Sequence, residues 1–179
     1  SLDGAVAAAP GQRSAITGPE AARWTQRLRG AVDAIAIGAE TAVVDDPLLT
    51  ARDVYRHRPL VRIVFDRRLR LSPSSRLPRT AGESPLWVLA TPDAEASARA
   101  EALRAQGVDV VAGAGTVTDA LAVLAGRGVQ HLLVEGGPTL HAACWHAGVV
   151  DRVSQLVADH ALGPDAVRWH VPAWLNGRA

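Results

Sequence analysis

Five short apolar runs, at residues 33–38, 60–66, 86–90, 108–112 and 131–135, are separated by stretches long enough for helices or broad loops. Each run is largely continuous in its hydrophobicity, as expected of strands covered on both faces, and each is bounded by glycine, proline or charged residues. Between them the spacing predicts helices over 18–31, 93–106, 117–127 and 138–147, with a brief helix starting at Gly38 and stopped before Pro47. Strands alternating with helices build a largely parallel sheet. The expected fold is therefore α/β, with a mostly parallel mixed central sheet between helical layers, in one domain over residues 1–179.

Several finer expectations follow. Thr17-Gly-Pro-Glu20 has the spacing of a capping box, and Ala21, Trp24, Leu28 and Ala31 fall at helical spacing toward the core. Residues 72–85, rich in proline, serine, arginine and glycine, read as a surface connection. Residues 152–158 read as a further strand. Residues 1–9 begin as though a strand were cut near its end, which leads to the expectation of further residues upstream. The tail after Gly163 receives no assignment.

Chemistry concentrates at His131-Leu-Leu-Val-Glu135-Gly136-Gly137-Pro138-Thr139-Leu140. A strand ends in an acid, turns on two glycines, and restarts with proline in the first turn of a helix. Backbone N–H groups at such a start favour a phosphate, and glycines let a ligand approach the main chain. Thr41 and Asp45, one turn apart after the strand at 33–38, could hold a ribose or carboxamide, although acids before a proline are commonly turn residues. Arg52, Arg56, His57 and Arg58 cluster in a loop, where arginine forks suit phosphate. Arg29 lies near the end of the first helix, where the ordinary role is a solvated residue complementing the helix dipole. Arg67 follows the strand at 60–66, a position that suits recognition of a 2′-phosphate.

Composition removes alternatives. All nineteen basic residues other than histidine are arginine, so Schiff-base and P-loop lysine chemistry is excluded within these residues. Cys144 is the single cysteine, which excludes an intrachain disulfide and a cysteine metal cluster. His141 and His146 are five apart and fall on different helix faces, so no metal is expected. The formal net charge of +1 excludes nucleic-acid binding by bulk charge, and no apolar run is long enough to span a membrane. Gly113-Ala-Gly115 imitates a dinucleotide fingerprint but lacks its third glycine. A cytoplasmic enzyme acting on a small molecule is the expectation.

Four segments together resemble the reductase domain of the riboflavin-pathway deaminase-reductase family, whose fold is similar to dihydrofolate reductase. They are Ser1-Leu-Asp-Gly4, Arg27-Leu-Arg29 with the strand at 33–38, Thr41-x-x-x-Asp45-Asp-Pro47-x-Leu49-Thr-x-Arg52, and Val134-Glu-Gly-Gly-Pro-Thr-Leu140. The strand ending in Asp66-Arg67-Arg68 adds a fifth. The resemblance covers about residues 1–163. It implies NADPH-dependent reduction of the ribose of 5-amino-6-(5-phosphoribosylamino)uracil to the ribityl chain in riboflavin biosynthesis. It also implies that Thr41, Asp45, Arg67 and the Gly137, Pro138, Thr139, Leu140 turn contact the cofactor. Arg29, Leu49, Arg52 and Glu135 would contact the substrate, Glu135 either by binding polar groups or by helping proton transfer. A homodimer is implied as well.

The chain departs from the family pattern at Arg13 and Ala15, where a substrate-contacting serine and a cofactor-contacting tryptophan are usual. It departs again at Ala158-Asp-His-Ala-Leu-Gly163. No zinc-deaminase signature is present in these residues. Two alternatives therefore accompany the leading one: a reductase of the same fold acting on another aminopyrimidine or a pterin, and a non-catalytic nucleotide-binding module.

Overall fold

The structure is a computed structural model describing residues 1–9, 16–113 and 115–168. Strands β2 (Ala34–Gly38), β3 (Val61–Phe65), β4 (Leu86–Ala90), β5 (Asp109–Ala112) and β6 (Leu132–Gly136) form one sheet in the order β5-β4-β3-β2-β6. All four pairings are parallel. Antiparallel pairing in the described residues is confined to β1 (Ala5–Ala7) with β7 (Val167–Arg168), a separate two-stranded ribbon. The helices are α1 (Pro19–Ala31), α2 (Ala39–Asp45), α3 (Arg76–Arg79), α4 (Pro92–Glu95), α5 (Ala98–Arg104), α6 (Val117–Gly126) and α7 (Pro138–His146).

The strands are apolar on both sides because both sides are covered. Alternation along β2 sends Ile35 and Ile37 into one layer, with Val64, Val88, Leu77, Ala100 and Leu103. Ala34 and Ala36 face the other, with Ile63, Leu89, Ala120 and Leu124. A fully buried leucine or isoleucine contributes roughly 2 kcal/mol by its removal from water, so these two layers carry the fold. At the foot of the sheet, the Asp33 carboxylate accepts from the N–H groups of Gln130 and His131 at 3.0 and 2.8 Å, fastening the start of β2 to that of β6.

Five local expectations are corrected. Thr17 caps nothing: the N-cap of α1 is Gly18, in extended backbone without a side-chain bond, and Pro19 opens the helix. The predicted stripe is only half buried and Ala31 is exposed; no residue of α1 is fully buried. The helix expected over 93–106 is two, since Ser97 caps a second start by accepting from the Ala100 N–H. Residues 72–85 contain α3 and bury Leu77, Pro78 and Ala81. They are drawn inward by Arg62 of β3, which is fully buried and donates to the carbonyls of Leu48, Thr80 and Ser84 and to the Thr80 hydroxyl. Burial pushes the Arg62 pKa down, but a guanidinium starts high enough to stay charged and so needs these acceptors. Finally, residues 152–158 form no strand. Leu156 and Val157 are exposed, and the outer side of β6 carries no described strand on which they could pair.

Candidate active site

Strand order locates the site. From β2 the chain builds outward through β3, β4 and β5, then returns to place β6 on the opposite side of β2. The direction of winding reverses between β2 and β6, and ligands of open parallel sheets bind in the crevice outside the carboxyl ends at such a switch point. In register, Gly38 lies opposite Phe65 and Ile37 opposite Gly136. The segments beginning at Gly38, Asp66 and Gly137 therefore leave the same edge of the sheet.

Two turns meet there at close quarters. A Cβ on Gly136 would come within 2.9 Å of the Thr41 methyl, and one on Gly137 within 3.2 Å of the Thr41 hydroxyl. Gly137 has φ +92°, a conformation open to glycine, and caps α7 without a side chain. Pro138 takes the first helical position, so the N–H groups of Thr139 and Leu140 head a helix whose first intrahelical bond is that of His141 to the Gly137 carbonyl. Leu140 is buried against Gly38, Thr139 is exposed, and the Asp45 carboxylate at the end of α2 has no partner among the described residues. A main-chain cradle at a helix start can receive a phosphate, and a hydroxyl with a carboxylate can hold a ribose or carboxamide. Arg67 lies beyond the end of β3, exposed, with its guanidinium unpaired among the described residues. Asp66 beside it is buried and structural, accepting from the Leu71 N–H at 2.8 Å.

Glu135 and Arg29, 106 residues apart, form a bidentate pair. Arg29 Nε donates to Glu135 Oε1 at 2.6 Å and Nη2 to Oε2 at 2.5 Å, with both side chains more than four-fifths buried. Arg29 is thus half of a largely buried ion pair and not a solvated helix end. Its remaining terminal nitrogen donates to the Thr50 carbonyl at 2.7 Å. Parallel two-point bonding sets the plane of the carboxylate and leaves outward lone pairs for a ligand.

The loop after α2 is tied to the end of α1. Leu49 has its side chain in the core and φ +51°, so what position 49 offers a ligand is main chain. Arg52 is exposed; its N–H donates to Gln26 Oε1 at 2.7 Å, while its guanidinium has no described partner. Arg56, by contrast, points back at α1 and donates to the carbonyls of Arg29, Gly30 and Val32. Gln26 and Arg56 were not foreseen as site supports, and their bonds to backbone partners in another element leave no spacing signal. Arg13 and Ala15 lie outside the described residues. On α7, burial pushes the Cys144 thiol pKa up, which makes it an inert packing residue. Among the described residues no three His, Cys, Asp or Glu side chains are grouped to hold a metal.

Comparison with known proteins converges on one group. The family model described as the RibD C-terminal domain matches residues 1–171. Riboflavin biosynthesis protein RibD of Escherichia coli is 32% identical, the match covering 93% of this chain and 48% of that protein. The 2,5-diamino-6-ribosylamino-4(3H)-pyrimidinone 5′-phosphate reductase of Methanothermobacter thermautotrophicus is 35% identical, over 90% of this chain and 75% of that protein. Among solved structures, Acinetobacter baumannii RibD superposes with a TM-score of 0.73 at 25% identity, covering 94% of this chain and 46% of that one. The chain spans about half the length of the RibD proteins it matches. With the Thr41 and Glu135 motifs meeting at the switch point of this fold, the chain belongs to the RibD C-terminal domain family.

Proposed function

We propose that this chain is an oxidoreductase of riboflavin biosynthesis which reduces the ribose of a phosphoribosylamino-pyrimidine to the ribityl chain, with NADPH as reductant. The observation that carries the reading is the junction at β6, where Glu135, held by Arg29, is followed directly by the Gly136-Gly137-Pro138 cradle beneath Thr41. A site for a polar substrate and a site for a dinucleotide are thereby contiguous.

In this reading Thr41, Asp45 and the turn from Gly137 to Leu140 hold the cofactor, and Arg67 faces the phosphate that distinguishes NADPH from NADH. Arg29, Arg52, Glu135 and the main chain at Leu49 hold the substrate. The bound nicotinamide supplies a hydride. The protein orients the open-chain imine carbon of the sugar toward it and excludes water. Both Glu135 oxygens accept from Arg29, so its role is to accept from the amino groups of the pyrimidine, and the imine nitrogen is protonated by the substrate's own acidic groups. The aminouracil, which the family resemblance implies, is proposed over the diaminopyrimidinone in the name of the Methanothermobacter relative. A cytoplasmic homodimer is proposed as the working form; no described helix is long and apolar enough to cross a membrane.

The test is steady-state NADPH oxidation by purified protein offered each pyrimidine in turn. Turnover of the aminouracil is expected, with NADH a poorer reductant and Arg67→Ala narrowing the difference. Tight NADPH binding with no turnover of either pyrimidine would establish a nucleotide-binding module in its place.

A further inference from the structure

We propose that Arg56 is a positioning residue of this site, which holds the loop at 49–54 and the C-terminus of α1 in one fixed arrangement. The catalytic half of the inference rests on the function proposed above; the structural half does not.

Helix α1 ends without a cap of its own. Its last residues pass into Val32, in extended backbone with φ −115°, so the carbonyls of the final turn lack helical partners. Arg56, arriving from the far side of the loop, supplies them. Its Nη1 donates to the carbonyls of Arg29 at 2.5 Å and Gly30 at 3.0 Å, and its Nη2 to that of Val32 at 2.8 Å. Its Nε donates to the Arg58 carbonyl at 3.1 Å, bending the loop back on itself. A cation at the carbonyl end of a helix is also favoured by the helix dipole. The helix answers in the other direction: Gln26 accepts from the Arg52 N–H, and Arg29 donates to the Thr50 carbonyl. Gly30 lets the loop close in, since a Cβ there would lie 3.2 Å from the Val54 side chain.

Two features make this clasp more than a loop contact. The main-chain carbonyl and the guanidinium of Arg29 are both within it, so it sets the position of the residue that grips Glu135. The loop itself holds Leu49 at φ +51° and Asp53 at φ +59°, conformations that persist in non-glycine residues only where surrounding contacts impose them. Arg52, whose side chain is otherwise unsupported, is placed by the same contacts. A lysine cannot reproduce Arg56, because one ammonium lacks the planar fork that spans three carbonyls.

Arg56→Ala and Arg56→Lys in the full chain test this, with amide hydrogen exchange and steady-state kinetics read side by side. Exchange of the Arg52 amide, which donates to Gln26 Oε1, is expected to accelerate about tenfold or more in Arg56→Ala, while the amides of β2 and β3 keep their protection. The KM for the phosphoribosylamino-pyrimidine is expected to rise about tenfold or more, with the NADPH dissociation constant within about twofold of wild type and Arg56→Lys restoring only part of the loss. In an Arg52→Ala background the same replacement should raise KM by less, since Arg52 is one of the groups it places. Unchanged loop exchange, or acceleration spread evenly over the sheet, would overturn the proposal, as would parallel losses of substrate and NADPH. A wild-type protein that turns over no pyrimidine counts against the proposed function, and the exchange at 49–54 still decides whether Arg56 holds the loop.

Discussion

Glu135 and Arg29 illustrate how a residue acquires its role from what faces it. On the helix alone, Arg29 is one of several arginines in the last turns, suited to solvent and the helix dipole. Against Glu135 it becomes half of a bidentate, largely buried pair. Glu135→Gln keeps the volume and removes the charge, leaving Arg29 opposite an amide. The expected result is a rise in substrate KM of about tenfold or more, with NADPH affinity changed less than about threefold. Arg52→Ala should act in the same direction, and kinetics combined with calorimetric titration of NADPH would separate the two ligands. Equal losses for substrate and cofactor would count against the assigned roles. The resemblance marks Arg29, Arg52 and Glu135, whereas Gln26 bonds the main chain of Arg52 and Arg56 that of Arg29, contacts that no motif records.

The five strands of the sheet and helix α7 were legible from local signals. The five apolar runs match β2 to β6 within a residue or so, and Pro138 and Gly148 bracket α7 as their backbone preferences require. Errors occurred where a competing contact decided the outcome: Ser97 divides one expected helix, and Arg62 pulls residues 72–85 into the core. Asp33 is an element-scale tie of the same kind. Its carboxylate is held below the ordinary range chiefly by the His131 N–H, with burial opposing and the Gln130 N–H adding to the effect. Because the folded pKa is depressed, its contribution is fully present above the ordinary carboxylate value of about 3.9 and is lost as pH falls from there through the folded value. Asp33→Asn should therefore flatten the acid limb of stability in that window. At neutral pH it should cost less than about 1 kcal/mol, since the side chain is half exposed and screened. Urea unfolding at a series of acidic pH values measures both, and an unaltered acid slope would refute the assignment.

For the whole molecule, the outer side of β6, on which no described strand pairs, sets the expectation for assembly. The strand is only half buried, and Val150, Leu156 and Val157 in the following segment are exposed. Association of two copies would cover apolar surface of this kind. Sedimentation velocity is expected to show a dimer at micromolar concentrations, and a monomer across that range would remove the homodimer from the proposal. The sequence by itself determined the α/β class, the run of parallel strands and the Glu-Gly-Gly-Pro turn, because apolar periodicity and the backbone limits of glycine and proline act between near neighbours in the chain. The tertiary structure alone decided that β6 lies beside β2, that Arg29 meets Glu135 across 106 residues, and that Arg56 closes α1. Those contacts depend on sheet order and register, which are settled by the packing of both faces at once and leave no spacing along the chain.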